Sequence, residues 1–241
     1  FSSNGYLAVH FGKCHDMGAL RGFIHKEPVE ESFKDKDFPV NSDSFKDVGT
    51  CKDVVGFLSN PPQQPFICVA DFQNPHNICG YVGAFAGPHA NPPYNGQLPE
   101  LPVNFEVHNW KDLPIPIQYL CCTHRRLTQA SHWSPENYRY YLAAYQHYTR
   151  MVCNQIEQVM KALESTPAGK NTIVVVLADH GDGIAAHRMV TKQVSFYDEV
   201  TNVPFIFSGP GIIQQSKAIN TLVQPTTDLL PTLCDLAGIA V

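Results

Sequence analysis

The sequence has little charge and no concentration of basic residues. Asp, Glu, Lys and Arg make up 16% of its 241 residues, and the formal net charge at pH 7 is -5. A nucleic-acid-binding surface needs clustered Lys and Arg side chains that displace the counterions of the phosphates, and the sequence has no such cluster. It also has no apolar run near the about 20 residues that cross a bilayer. The sequence therefore predicts neither a nucleic-acid-binding protein nor a membrane protein.

A paired-cysteine metal motif and a secretion signal are also missing. None of the eight cysteines forms a Cys-x-x-Cys pair. These cysteines could pair as disulfides outside the cytosol or stay as thiols, so they leave the redox compartment open. The chain starts at Phe1, and no charged stretch followed by an apolar stretch comes after it. We expect that an earlier segment preceded Phe1 and carried any targeting signal.

Three short apolar segments predict strands. Residues 65–72 lie between proline-containing turns and predict a buried strand. Residues 172–178 are continuously apolar and rich in β-branched side chains, which is typical of a central parallel strand covered on both faces. Residues 203–207 predict a further strand.

The segments between these strands predict helices and loops. Residues 134–136, Ser-Pro-Glu, form a helix start, and apolar side chains then recur at helical spacing until Pro167. Residues 227–237 predict a second helix with Pro231 near its first turn, whereas residues 73–133 are rich in Pro, Gly and Asn and predict long loops. The predicted fold class is α/β, with a mostly parallel central sheet sandwiched by helices, in a single domain over residues 1–241.

The three residues Asp179-His180-Gly181 follow the predicted strand 172–178. Open α/β sheets place their ligand sites at this position, and an adjacent carboxylate and imidazole can both face a cation. The alternative is a simple turn in which the Asp179 side chain bonds its own backbone. Both interpretations stay open on these residues alone.

The residues around this turn resemble the type I sulfatases of the alkaline phosphatase superfamily. In the family's order the sequence has Val174-Val-Val-Leu-Ala-Asp-His-Gly-Asp-Gly183, then His187, Lys192, Tyr197-Asp-Glu199 and Val203-Pro204. Three further segments are similar to family segments: Gly12-Lys-Cys-His-Asp-Met-Gly18, Asn74-Pro-His76 and Asp228–Gly238. The resemblance covers nearly the whole chain and implies an alkaline-phosphatase/sulfatase-like fold that is incomplete at the N-terminus.

The resemblance implies one metal site and two sulfate-binding cations. Asp179 and His180 would supply half of the ligands of a calcium ion. Lys13 and Lys192 would bind sulfate oxygens and offset the charge that develops on them during sulfuryl transfer.

Three histidines complete the set of residues that the resemblance implies. His76 would bind the substrate and protonate the departing alkoxide, and His15 would serve the hydroxyl of the nucleophile, because both tasks need a group that titrates near neutrality. His187 matches the family's order and would contact the substrate or support the metal segment.

Two segments of the family pattern are absent from the sequence. In the family, a strand that ends in paired aspartates and a Cys/Ser-x-Pro-x-Arg motif come before the Gly-Lys-x-His block, and the first residue of that motif is oxidised to the formylglycine nucleophile. Neither occurs here. We therefore expect a partial catalytic domain that is inactive alone. The full-length protein would need a formylglycine-generating enzyme or an anaerobic maturase.

The function that the resemblance implies is hydrolysis of sulfate esters on a sulfated small molecule or polysaccharide. Pro75–Cys79 favours a carbohydrate, because similar stretches occur in bacterial polysaccharide sulfatases. One alternative is a two-zinc phosphatase or phosphodiesterase of the same superfamily, although Cys153 and Glu157 stand where such enzymes usually carry Asp and His. The other is a non-catalytic sulfated-glycan-binding relative. The resemblance also implies the location that is usual in this family, which is periplasmic, secreted or lysosomal.

Overall fold

A computed structural model describes residues 1–15, 20–29, 35–40, 46–87, 91–106, 109–192, 195–212 and 221–240. Its strands are β1 (Leu7–Gly12), β2 (Ile24–Lys26), β3 (Phe66–Asp71), β4 (Val174–Leu177) and β5 (Phe205–Ser208). Its α-helices are α1 (Lys46–Ser59), α2 (Ile78–Ala84), α3 (Ile115–Thr123), α4 (Arg125–Ala130), α5 (Pro135–Glu164), α6 (Asp198–Thr201) and α7 (Pro225–Leu236). None of the described helices is both long and apolar enough to cross a membrane.

The described strands form two small sheets. In the first sheet β1 lies between β2 and β3, and all three strands are parallel. The predicted α/β class with a parallel sheet is therefore confirmed. In the second sheet β4 pairs with β5, with Val174 opposite Ser208. This pairing is antiparallel, so among the described residues the predicted central parallel strand at 172–178 has only an antiparallel partner. Its first three side chains are half-buried and Leu177 is exposed.

Helix α5 begins where the sequence predicts and organises the larger core. The Ser134 hydroxyl accepts a hydrogen bond from the backbone amide of Asn137, and the Asn137 carboxamide accepts one from the Ser134 amide, which together form a capping box. Tyr141 and Tyr148 of α5 are fully buried: Tyr141 contacts Tyr81 of α2 and Trp133, and Tyr148 contacts Phe38. The helix ends at Glu164, before Pro167.

A smaller core joins the first sheet to α1 and to the C-terminal end of α5. Val9 and Phe11 of β1 pack against Val54 and Leu58 of α1 and Leu163 of α5. These contacts place α1 and α5 on one face of the parallel sheet. The apolar and turn patterns described above predicted neither α1 nor β1 nor β2.

The prediction of long loops over 73–133 is wrong in part, because α2, α3 and α4 lie within it. Proline does not exclude these helices, since Pro114 and Pro116 fall at the start of α3, where an amide hydrogen is not needed. The C-terminal helix is also longer than predicted: α7 begins at Pro225, so Pro231 is an interior residue. Gly238 has φ +68°, as expected for a glycine beyond a helix end.

Candidate active site

Lys13 directly follows Gly12, the last residue of β1, at a point where β1 and β3 approach each other closely. Gly12 has φ +105°, and a side chain there would overlap the backbone carbonyl of Asp71. The Lys13 amide donates a hydrogen bond to that carbonyl at 2.9 Å. Lys13 is half-buried, whereas His15 is exposed. Residues Asp16, Met17 and Gly18 of the same block lie outside the described residues.

His76 lies in the turn that links β3 to α2, and α1 supports this turn. The Asp47 carboxylate accepts hydrogen bonds from the backbone amides of Gln73 at 2.6 Å and Asn74 at 2.8 Å. Asp47 is buried, which raises its pKa even though these two amides favour the ionised form. Sequence reasoning missed Asp47, because it acts on backbone groups more than 20 residues away.

Basic side chains from three segments surround His76. Burial is the main cause that lowers the pKa of His76 to about 4, and Lys13, Lys192, Arg126 and His180 lower it further. Lys13 follows β1, Lys192 and His180 belong to the segment after β4, and Arg126 belongs to α4. The structure therefore brings Lys13, His76, His180 and Lys192 together.

The turn after β4 fixes the orientation of His180. Its Nδ1 lies 2.8 Å from the Gly181 carbonyl, which can only accept, so Nδ1 carries the ring proton. Its Nε2 is then an acceptor and lies 2.9 Å from Lys192 Nζ. The Asp179 carboxylate accepts the His180 amide at 3.0 Å and has a second oxygen 3.5 Å from His180 Nε2. The two predicted metal ligands thus lie side by side.

These two residues fit only part of a calcium site. The described residues contain no group of three or more His, Cys, Asp or Glu side chains able to hold a metal ion. The Asp179 side chain is 85% exposed and available to a cation, but His180 Nε2 faces Lys192. A calcium ion usually takes about 6 to 8 oxygen ligands. The described part of the chain does not supply a complete set.

Sequence reasoning missed two charged residues of this site, Asp182 and Arg126. Burial raises the pKa of Asp182 to about 7; the charge of Asp179 raises it further, and Lys192 and Arg126 oppose the shift. The Asp182 carboxylate accepts no hydrogen bond from the described residues. Arg126 donates from Nε to the Cys79 carbonyl at 3.5 Å, one turn beyond His76. Position in the sequence gave no signal for Arg126, because only the packing of α4 against α2 places it there.

His187 does not join this cluster. Its ring stacks on Tyr197 with centroids 4.3 Å apart, and its amide donates to the Asn104 carbonyl at 2.8 Å. It has φ +51°, and Ala185, Arg188 and Thr191 also have positive φ. Left-handed backbone at four non-glycine residues is costly and is often found in functional segments. The predicted substrate or supporting role of His187 stays a prediction.

The structure thus defines an α/β protein with a cluster of basic side chains at the C-terminal ends of two parallel strands and β4. The sequence model of the family described as Sulfatase matches residues 1–239. The chain belongs to the sulfatase family.

Several known proteins are similar to this chain in sequence or in structure. The chain is 69% identical, over its whole length, to a Delta 4,5-hexuronate-2-O-sulfatase of Bacteroides thetaiotaomicron, and it covers 50% of that protein. It is 38% identical over 85 residues to an arylsulfatase of Chlamydomonas reinhardtii, a match that covers 34% of this chain and 13% of that one. A solved structure of a 2-O GAG sulfatase has a TM-score of 0.95 at 68% identity, with 100% of this chain and 52% of that chain covered. The chain spans about half the length of the first of these relatives.

Proposed function

We propose that the protein containing this chain hydrolyses sulfate esters on a sulfated carbohydrate, with a uronic acid that carries a 2-O-sulfate as the substrate class. The observation that carries this proposal is the position of His76 among Lys13, Lys192 and Arg126. A neutral histidine ringed by cations can bind an anionic ester. The names of the relatives with 69% and 68% identity support the choice of substrate.

Because the pKa of His76 is low, this histidine takes up a proton only after the substrate binds. Without an anion, His76 is neutral at pH 7, because its pKa is about 4. A bound sulfate group offsets the charges of Lys13 and Lys192, so the pKa of His76 rises when the substrate is present. His76 can then take up a proton and give it to the departing alkoxide oxygen.

The metal and the nucleophile are also part of the proposal. A calcium ion would be bound by Asp179, with His180 beside it, and by further ligands from outside the described residues; when bound, it would supply positive charge to the sulfate and the nucleophile. The nucleophile would be a formylglycine from a segment outside this chain, made by a maturation enzyme. We also propose the periplasm, the cell exterior or the lysosome as the location.

The structure gives no support to the two-zinc alternative. Cys153 and Glu157 lie on the exposed side of α5, and Glu157 pairs with Lys161 at 2.5 Å. Neither residue is part of the cluster around His76. A non-catalytic glycan-binding protein would keep the cation cluster, and only activity separates it from an enzyme.

The experiment uses the full-length polypeptide that contains this chain, matured with a formylglycine-generating enzyme. Lys192→Ala should abolish most sulfate release while the melting temperature changes little, because Lys192 contributes charge at the site rather than core packing. Lys161→Ala is the matched control, since that lysine is exposed on α5. Full activity of Lys192→Ala, or equal losses of activity and stability, would contradict the proposal.

A second variant tests the role of His76. His76→Ala should slow the release of sulfate from sugar hydroxyls much more than from aryl sulfates, because only the basic sugar alkoxide needs a proton donor. The measurement is kcat/KM across a series of leaving groups. A uniform loss across the series would remove this role from His76.

A further inference from the structure

A row of four polar side chains crosses the parallel sheet outside the candidate active site. His10 of β1 and His25 of β2 are register partners, and their Nδ1 atoms lie 2.8 Å apart. His10 Nε2 lies 2.8 Å from an Asp71 carboxylate oxygen. His25 Nε2 lies 3.0 Å from a Glu27 carboxylate oxygen. The order across the sheet is therefore carboxylate, imidazole, imidazole, carboxylate.

Three hydrogen bonds in this row need three protons on the four ring nitrogens. A carboxylate only accepts, so both Nε2 atoms must donate. The Nδ1–Nδ1 contact then needs one more proton, which makes one ring an imidazolium and leaves the other neutral. Two neutral rings would leave one contact without a proton. Two imidazolium rings would place two Nδ1–H groups against each other.

Because His10 is buried, both of its ring nitrogens need a hydrogen-bond partner. His10 is 1% exposed, and buried polar groups are almost always hydrogen-bonded. A single positive charge on the pair would lie between the carboxylates of Asp71 and Glu27, and a buried charge needs such pairing.

The neighbouring elements bring further charges. Lys26 of β2 pairs with Asp53 of α1 at 2.5 Å, and Lys46 lies close enough to Glu27 to lower its pKa, after the larger effect of its His25 hydrogen bond. Helix α1, which packs on β1, carries the titratable residues Lys46, Asp47, Cys51, Lys52 and Asp53, and β3 carries Cys68 and Asp71.

The contact between His10 and Asp71 joins the ends of β1 and β3. Asp71 is the last residue of β3, and its backbone carbonyl accepts the amide of Lys13. The chain runs from β1 directly into Lys13 and from β3 into the turn with His76. The side-chain bond therefore adds to the backbone pairing of β1 and β3 at the point where the two segments leave the sheet.

We propose that His10 and His25 share one excess proton, and that His10 is a positioning residue that holds the Lys13 and His76 segments in place. The shared proton concerns the histidine pair alone. The positioning role rests on the proposed function.

The shared proton is tested by nuclear magnetic resonance of the full-length polypeptide labelled with ¹⁵N-histidine. At neutral pH we expect a coupling between two Nδ1 nuclei through one hydrogen bond, and its loss in His25→Phe. His187→Phe is the control, because that ring stacks on Tyr197, outside the row. Two neutral rings without a coupling would overturn the shared proton.

The positioning role is tested by two substitutions at His10. Gln can place its amide near the position of Nε2 and donate to Asp71, whereas Phe keeps a buried ring without a donor. His10→Phe should lower kcat/KM by up to about 10²-fold, the scale of a displacement of about 1 Å in an active site. His10→Gln should recover most of this loss. Equal losses in both variants, or no loss in either, would overturn the positioning role.

A second measurement separates this proposal from the proposed function. If the full-length protein releases no sulfate from any substrate, the proposed function fails, but the backbone can still be tested. Hydrogen exchange at the Lys13 amide, which bonds the Asp71 carbonyl, should become faster in His10→Phe and stay slow in His10→Gln. Unchanged exchange in His10→Phe would overturn the positioning role in that case.

Discussion

Removal of one cation near His76 should raise the pKa of this histidine. Burial lowers its pKa most, and the charges of Lys13, Lys192, Arg126 and His180 lower it further, to about 4. Lys192→Met keeps most of the length and apolar volume of the side chain and removes its charge. The remaining causes stay in place, so the pKa of His76 should rise only part of the way towards 6.5.

The size of the rise follows from the electrostatics. A shift from 6.5 to about 4 corresponds to about 3 kcal/mol against protonation of His76, at about 1.4 kcal/mol per pKa unit. Two unit charges about 4 Å apart interact by about 1 kcal/mol in water and about 4 kcal/mol at an effective dielectric constant of about 20. Because burial and several cations share the total, the loss of Lys192 alone should raise the pKa of His76 by about one unit.

The assay is a titration of His76 by nuclear magnetic resonance in the full-length protein. Lys161→Met is the matched control, because Lys161 is exposed and pairs with Glu157 on α5. Inorganic sulfate should also raise the pKa of His76 in the unmodified protein, since a bound anion offsets the same cations. An unchanged or lower pKa in Lys192→Met would refute the reasoning that these side chains form one cluster.

Two further predictions concern stability and the chain alone. The folded-state pKa of Asp182 is raised to about 7, so the folded protein should lose stability as pH rises from about 4 through 7. The free energy of unfolding, measured by urea titration at several pH values, should not show this loss in Asp182→Asn. At pH 8 the variant should be more stable than the unmodified protein by up to about 4 kcal/mol. If the free energy of unfolding falls with pH equally in both proteins, the prediction is wrong. The 241-residue chain alone should show no sulfatase turnover, even after treatment with a formylglycine-generating enzyme, and calcium should barely change its melting temperature. Turnover that Lys192→Ala abolishes would contradict this.

Local patterns in the sequence were sufficient for the elements whose signals are local. The cap at Ser134 and the apolar spacing beyond it predicted α5, because a helix start and a buried face both follow from nearby residues. Residues 65–72 predicted β3 for the same reason, because a short apolar segment bounded by turns is typical of a buried strand. The resemblance around Asp179 and Lys192 then predicted a cluster that the structure brings together.

Elements that depend on distant packing were missed. Arg126 reaches the site through the packing of α4 against α2, and Asp47 reaches it through hydrogen bonds between α1 and the turn before His76. The raised pKa of Asp182 depends on its burial in the folded chain. The pairing direction of β4 was also missed, because an apolar β-branched segment fits either a parallel or an antiparallel partner once both faces are partly covered. Such features are properties of the assembled fold.

The strand edges of this chain lead to a final prediction about self-association. Among the described residues, β3 and β4 each have one edge without a hydrogen-bonded partner, and most of their apolar side chains are half-buried. Unpaired apolar edges can pair with another copy, and a charged side chain on the strand opposes this. Val176→Lys on β4 should therefore reduce the self-association of the isolated chain, measured by analytical ultracentrifugation, with circular dichroism as the check on folding. Leu230→Lys is the matched control, because Leu230 is 58% exposed on α7 and lies on no strand. If both variants reduce self-association equally, general apolar exposure and not the strand edge drives it.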